Sequence, residues 1–175
     1  MNIANYFYKY KKYKNKYNNL KGGNIKNIGF DFDGVIHRNV GPDNGKDSRK
    51  PNCLLLEYRF IEIQNKIFDY HCHNYNIYII TGRGKRGPIF EYLNSCGLNE
   101  KIISRDNVNA IGGSGNKVNM AIKLELDEYY EDSAIEIQKF IDRKCEILSV
   151  KPKFRLFHIF PEFYGRKDAI KEIFL

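Results

Sequence analysis

The run Asn27-Ile28-Gly29-Phe30 leads directly into Asp31-Phe32-Asp33-Gly34-Val35-Ile36, and this junction constrains the fold more than any other stretch. Alternate residues of a β-strand project to the same side. Asp31 and Asp33 are therefore expected together at the carboxyl end of a first strand, before a turn at Gly34. In parallel α/β sheets that end is where ligands bind. Two carboxylates there can hold a hard cation through oxygen and divide the roles of nucleophile and acid/base between them. Because Asp and Gly populate turns of every kind, the rest of the chain decides what the pair is for.

Three further pieces follow in order. Asn76-Ile77-Tyr78-Ile79-Ile80 is a continuous apolar, β-branched run of the kind buried on both faces of a parallel sheet. It ends in Thr81-Gly82-Arg83-Gly84, where a hydroxyl and a guanidinium stand beside exposed backbone amides, a combination suited to holding a phosphate. Lys117 follows a glycine-rich turn (Gly112, Gly113, Gly115) and is expected at the start of a helix. Glu128-Tyr129-Tyr130-Glu131-Asp132-Ser133 then reads as another strand ending in an acidic pair, with Ser133 or Asp132 capping the next helix. Strand ends and a helix start thus supply Asp-x-Asp, Thr, Lys and Glu-Asp in that order.

On these residues the chain resembles the haloacid dehalogenase superfamily of phosphatases and phosphotransferases, over about residues 25–160. Asp31-x-Asp33-x-Val35 matches its first motif, Thr81 the second, Lys117 the third and Glu131-Asp132 the fourth. The Glu-Asp pair departs from the commoner Asp-Asp and Gly-Asp-x-x-x-Asp forms. The resemblance implies a doubly wound, mostly parallel α/β sheet of the Rossmann kind, flanked by helices, and a phosphoric monoester hydrolase. Asp31 would be the nucleophile and form an aspartyl-phosphate; Asp33 would be the acid/base. Thr81 and Lys117 would bind phosphoryl oxygens, with Lys117 also pairing Asp31. Phe32, Gly34, Gly82 and Arg83 would line the substrate. Mg²⁺ is the implied cofactor, held by Asp31, the backbone carbonyl of Asp33 and Asp132, with Glu131 orienting a metal-bound water.

The intervals between the first and second and the second and third motifs leave no room for a folded lid. An open site of this kind suits a phosphate carried on something large. The Ile-Thr-Gly-Arg and Tyr-Glu-Asp-Ser motifs look similar to phosphatase domains of nucleic-acid end-repair proteins, which makes a polynucleotide end the expected substrate. A nucleotide or small phosphate ester, or a non-catalytic binding module on the same fold, is the alternative.

Charge bears on the same question. The formal net charge is +8, and residues 1–27 hold seven lysines and no acid, so the remainder is close to neutral. In the same segment Ile3, Tyr6, Tyr10, Tyr13, Tyr17 and Leu20 recur at spacings of three and four, one stripe of a helix that Gly22-Gly23 would end. A unit over residues 1–23 is thus expected ahead of a phosphatase domain over 24–175. Its stripe suits packing on the core or on a second copy, giving a dimer. Lysines interleaved with tyrosines also fit nucleic acid, and a membrane surface is a third reading.

Scattered cysteines, with no Cys-x-x-Cys pair, and no apolar leader point to an intracellular, cytoplasmic setting. No apolar run is long enough to cross a bilayer. His71-Cys72-His73 is expected at a helix end and not at a metal.

The pattern predicts strands over about 25–31, 76–81 and 128–131, short strands near 102–103 and 146–150, and an edge strand over 154–159. Helices are expected over about 52–71, over 88–95 before Gly97, after Lys117, and from 134 to about 143. Residues 34–51 read as a polar flap.

Overall fold

The computed structural model describes residues 25–37, 60–113, 116–160 and 169–175. The expected N-terminal helix (1–23), most of the flap and the first part of the helix expected over 52–71 lie outside these residues. Among the described residues six strands form one sheet: β1 (Asn27–Phe30), β2 (Asn76–Thr81), β3 (Val108–Ala110), β4 (Glu128–Glu131), β5 (Arg155–Ile159) and β6 (Ile170–Ile173). Their order is β3-β2-β1-β4-β5-β6. The first five run parallel, and β6 is antiparallel to β5. Five α-helices connect them: α1 (Ile61–Cys72), α2 (Gly87–Ser95), α3 (Lys117–Lys123), α4 (Ala134–Asp142) and α5 (Lys144–Val150). This is the expected α/β architecture.

The helices cover both faces, and strand alternation assigns them. Phe30, Tyr130 and Phe157 lie in one core layer with Ile63 and Ile67 of α1 and Ile89 of α2. Tyr129 and Leu156, one residue out of phase, lie in the other, with Val118 of α3, Phe140 of α4 and Ile147 of α5. Within the first layer Phe30, Tyr130 and Phe157 are register partners on three adjacent strands. Their rings stack at centroid distances of 4.7 and 4.5 Å. Each such pair contributes about 0.5–1.5 kcal/mol beyond its buried area, so β1, β4 and β5 are locked together at the last residue of β1 and one residue before the end of β4. Beneath them Glu128 accepts from the Tyr70 and Tyr130 hydroxyls (2.5 and 3.1 Å), so this buried carboxylate has partners.

Three expected elements differ. Residues 102–103 are not a strand: the Ile102 and Ile103 amides both bond back to the Asn99 carbonyl, and Ile103 plugs the first core layer. The strand is Val108–Ala110 instead, preceded by Asn107, whose side-chain amide reaches the Ile77 carbonyl of β2 at 3.0 Å. Residues 146–150 belong to helix α5, not to a strand. There Arg143 forms an i,i+3 pair with Glu146 ahead of the single buried Ile147, and so short an apolar run does not distinguish helix from strand. Finally, the strand expected at the edge over 154–159 is interior, because β6 covers its free side.

His71 and Cys72 close α1 and His73 is its C-cap, as expected. Among the described residues no helix is long and apolar enough to cross a membrane.

Candidate active site

The chain builds β1, β2 and β3 outward to one side, then crosses back to place β4 against the other side of β1. The crevice between β1 and β4 at their carboxyl ends is therefore the switch point of the sheet, where open α/β folds bind ligands. Asp31 follows β1 directly, and its amide still donates to the Tyr130 carbonyl at 2.9 Å. Glu131 ends β4, with Asp132 next. The topology therefore brings Asp31 to Glu131 and Asp132, about 100 residues further along the chain. One ligand atom from each lies within 4.8 Å of the others.

Lys117 reaches this group from the first turn of α3. Asn116 caps that helix, its side chain accepting from the Asn119 amide at 3.0 Å, and so fixes where the helix begins. The buried Lys117 ammonium bridges Asp31 Oδ2 and Glu131 Oε2, each at 2.8 Å. Burial pulls its pKa down, but attraction by Asp31 and then Glu131 outweighs this and holds it above the ordinary lysine value. The other Asp31 oxygen, Oδ1, accepts from the Phe32 amide at 2.7 Å. Glu131 is fully buried and accepts twice more, from the Tyr129 hydroxyl at 3.2 Å and the Ser133 amide at 3.1 Å. Burial first, and then Glu131, raise the Asp31 carboxyl well above the usual range.

Asp33 lies in the turn beyond the strand and not on the strand itself. The strand has ended by Phe30, and residues 32–37 close into a tight turn, with the Ile36 and His37 amides on the Phe32 carbonyl and the Gly34 amide on the His37 carbonyl. The Asp33 carboxylate is held by Arg83, Nε to Oδ2 at 2.8 Å and Nη2 to Oδ1 at 2.6 Å, in the two-pronged geometry that suits guanidinium and carboxylate. Its side chain is not among the three clustered acids; the contribution expected of Asp33 to a metal is its backbone carbonyl.

The Phe32 ring is fully buried, its centroid 5.4 Å from the Arg83 guanidinium, so its side chain is part of the core. Thr81 is also fully buried and its hydroxyl accepts from the Arg83 amide at 3.2 Å. Gly82 is exposed and faces the Gly112-Gly113 turn across the opening.

Gly34 has a requirement of its own. Its φ is +81°, and a Cβ placed there would stand 1.9 Å from Asp132 Oδ2. Glycine is what allows the Asp132 carboxylate to lie against the turn that carries Asp33.

The donor set fits a divalent cation. Three carboxylates share a crevice with one lysine, all their donor atoms are oxygen, and hard cations such as Mg²⁺ prefer oxygen. Burial first, and Glu131 second, push the Asp132 carboxyl up to about 7, with Lys117 pulling the other way. This folded value lies above that of the unfolded chain. The group therefore contributes stability at low pH that is lost as pH rises through about 7. A cation held by these acids would bind the ionised form, so any rise in melting temperature that Mg²⁺ gives should be small near pH 5 and grow as pH passes about 7. Melting with and without Mg²⁺ across that range checks this; an equal shift at both ends contradicts it.

The environments of the two acids also separate their expected roles. If these acids hold Mg²⁺, Asp132→Ala should weaken its binding far more than Glu131→Ala, because Glu131 already accepts from Lys117, Tyr129 and Ser133 while the Asp132 carboxylate lies beside Gly34. Mg²⁺ titrations of the two variants decide it, and the reverse order reassigns the pair.

No family model matches the chain. A curated, uncharacterized protein of Acanthamoeba polyphaga mimivirus is 34% identical over 119 residues, which is 65% of this chain and 24% of that protein. The chain thus spans about a quarter of the length of the relative it matches.

Two residues of the site went unnoticed in the sequence. Tyr129 could have been found, since alternation places it on the face of Glu131. His158, whose Nε2 lies 3.0 Å from the Asp132 carbonyl oxygen, could not, because only the pairing of β4 with β5 brings it there.

Proposed function

We propose that this chain is a divalent-cation-dependent phosphomonoester hydrolase of the haloacid dehalogenase kind, acting through a phosphoryl group carried on Asp31. The observation that carries this reading is Asp31 itself. It is a nearly buried carboxylate at the switch point of the sheet, with one oxygen on Lys117, the other on the Phe32 amide, and two further acids alongside. A carboxylate needed only to cap a turn has no use for a buried ammonium shared with a second acid.

In the proposed reaction an Asp31 oxygen attacks phosphorus. The Asp31 O–P bond forms as the ester P–O bond breaks, and the leaving oxygen takes a proton from Asp33. Water then attacks phosphorus, Asp33 takes its proton, and the Asp31 O–P bond breaks to release phosphate. The Lys117 ammonium, 2.8 Å from Asp31, offsets repulsion between that carboxylate and an anionic phosphate. Asp31, Asp132 and the Asp33 carbonyl would hold Mg²⁺, which when bound supplies further neutralisation of the same charges. Glu131 fixes Lys117 from behind. The fork between Arg83 and Asp33 must open for Asp33 to transfer a proton, and an incoming phosphate is a natural competitor for that guanidinium.

The substrate class proposed is a phosphate on a large molecule, a polynucleotide end foremost. The short intervals between motifs and the lysine-rich first 27 residues support it, as do Lys85 and Arg86, exposed just beyond Arg83. The test is hydrolysis with Mg²⁺ across p-nitrophenyl phosphate, nucleotides, phosphopeptides and 3′- or 5′-phosphorylated oligonucleotides. Highest kcat/KM is expected on an oligonucleotide end. Activity confined to nucleotides would move the substrate to a small ester, and no Mg²⁺-dependent hydrolysis of any of them would reject the enzyme.

A further inference from the structure

The Asp132 carbonyl is positioned by a residue outside the four motifs. β4 ends at Glu131, whose register partner on β5 is His158. Past that pair the two strands part, and the Phe160 amide turns away to the Ala169 carbonyl at 2.9 Å. The Asp132 carbonyl accepts instead from the His158 side chain, whose Nε2 is 3.0 Å away. A carbonyl has no proton to give, so His158 carries its proton on Nε2 and donates. The ring is set in place by Phe160, with centroids 4.1 Å apart.

The other end of the same peptide is also held. The carbonyl of Asp132 and the amide of Ser133 belong to one planar unit, and the Ser133 amide donates to Glu131 Oε1 at 3.1 Å. His158 on one side and Glu131 on the other therefore clamp the peptide that follows Asp132. Fixing that plane fixes ψ of Asp132 and restricts the direction in which its carboxylate leaves the backbone. The space it enters is narrow, since the carboxylate lies where a Cβ on Gly34 would stand.

We propose that His158 is a positioning residue that aims the Asp132 carboxylate toward Asp31 and Glu131 by holding the Asp132–Ser133 peptide. The inference rests on the reading of those three acids as a cation site. Partners that orient a ligand without touching the metal commonly matter by about 10–100-fold in metal affinity.

The test compares His158→Leu, which keeps bulk and loses the donor, with His158→Gln, whose side-chain nitrogen stands the same number of bonds from the backbone. Mn²⁺ binding is followed by electron paramagnetic resonance without substrate, alongside Mg²⁺-dependent hydrolysis of p-nitrophenyl phosphate and thermal melting. The Leu variant should bind Mn²⁺ about tenfold more weakly or worse, with KM for the ester at saturating Mg²⁺ nearly unchanged. The Gln variant should recover most of the affinity. Unchanged Mn²⁺ binding in His158→Leu, or equal losses in the two variants, would overturn the positioning role while leaving the phosphatase reading intact. A wild-type chain that neither binds Mn²⁺ nor hydrolyses the ester would overturn both.

Discussion

Asp31→Asn should lower turnover by several orders of magnitude while the protein still folds. The amide keeps the size of the side chain, and its oxygen can still accept from either the Phe32 amide or Lys117, but the attacking charge is gone. The substitution also removes one buried carboxylate from a crevice where burial and Glu131 already disfavour ionisation of Asp31. Its melting temperature without added cation should therefore equal or exceed that of the wild type. Activity measurements and melting on the same preparation check both halves. Near-normal Mg²⁺-dependent turnover in the variant would contradict the assignment of the nucleophile.

Lys117→Met should produce the largest loss of stability. Lys117 bridges two buried carboxylates, one of them with no exposure at all, and a methionine of similar length leaves both without their cation. Removing one partner from a buried ionic group costs about 3–5 kcal/mol, because the remaining charge is stranded. For a chain of this size each kcal/mol moves the melting temperature by about 2–4 °C, so a drop on the order of 10 °C is expected. Protonating the stranded acids should return part of it, so the deficit should shrink as pH is lowered. Mg²⁺ should also return part, by putting positive charge back beside Asp31. A melting temperature unchanged from wild type at neutral pH would contradict the buried bridge.

Much of this site could be seen in the sequence because its parts sit where local rules operate. Asp31, Thr81 and Glu131 lie at the ends of apolar runs, and Lys117 follows a glycine turn at a helix start; periodicity and turn chemistry find such positions without tertiary information. The α/β architecture followed from the same alternation of runs. What escaped depended on where the chain meets itself. Strand alternation carries no sign that Asp33, in the turn over residues 32–37, is held by Arg83, some 50 residues away. β5 read as an edge because Ile170–Ile173 is too short to announce β6. Helix α5 read as a strand because a single buried isoleucine carries its pattern. His158 is an ordinary residue of an alternating strand until the register of β4 and β5 places it beside Asp132.

The crevice also concentrates opposing demands. Three acids near one lysine are costly to ionise together, and Gly34 is held at positive φ so that the Asp132 carboxylate has somewhere to lie. Like charge gathered at the switch point of a sheet, above a firmly stacked aromatic layer, is consistent with the site proposed for a cation and an anionic group. The Phe30–Tyr130–Phe157 stack holds β1 and β4 at a fixed spacing, so the distance between Asp31 and the acidic pair is set by the core and not by the loops.

Capture of the covalent phosphoryl group tests the central claim most directly. The protein is mixed with a phosphorylated oligonucleotide or p-nitrophenyl phosphate in the presence of Mg²⁺, quenched in acid and reduced with borohydride, which converts an aspartyl-phosphate to homoserine. The modified position is then read by peptide mass spectrometry. Homoserine at position 31 is expected, more abundant in Asp33→Asn, where the water that clears the intermediate lacks its base, and absent from Asp31→Asn. Efficient hydrolysis with no modification at Asp31 in either the wild type or Asp33→Asn, or modification at another residue, would contradict the account.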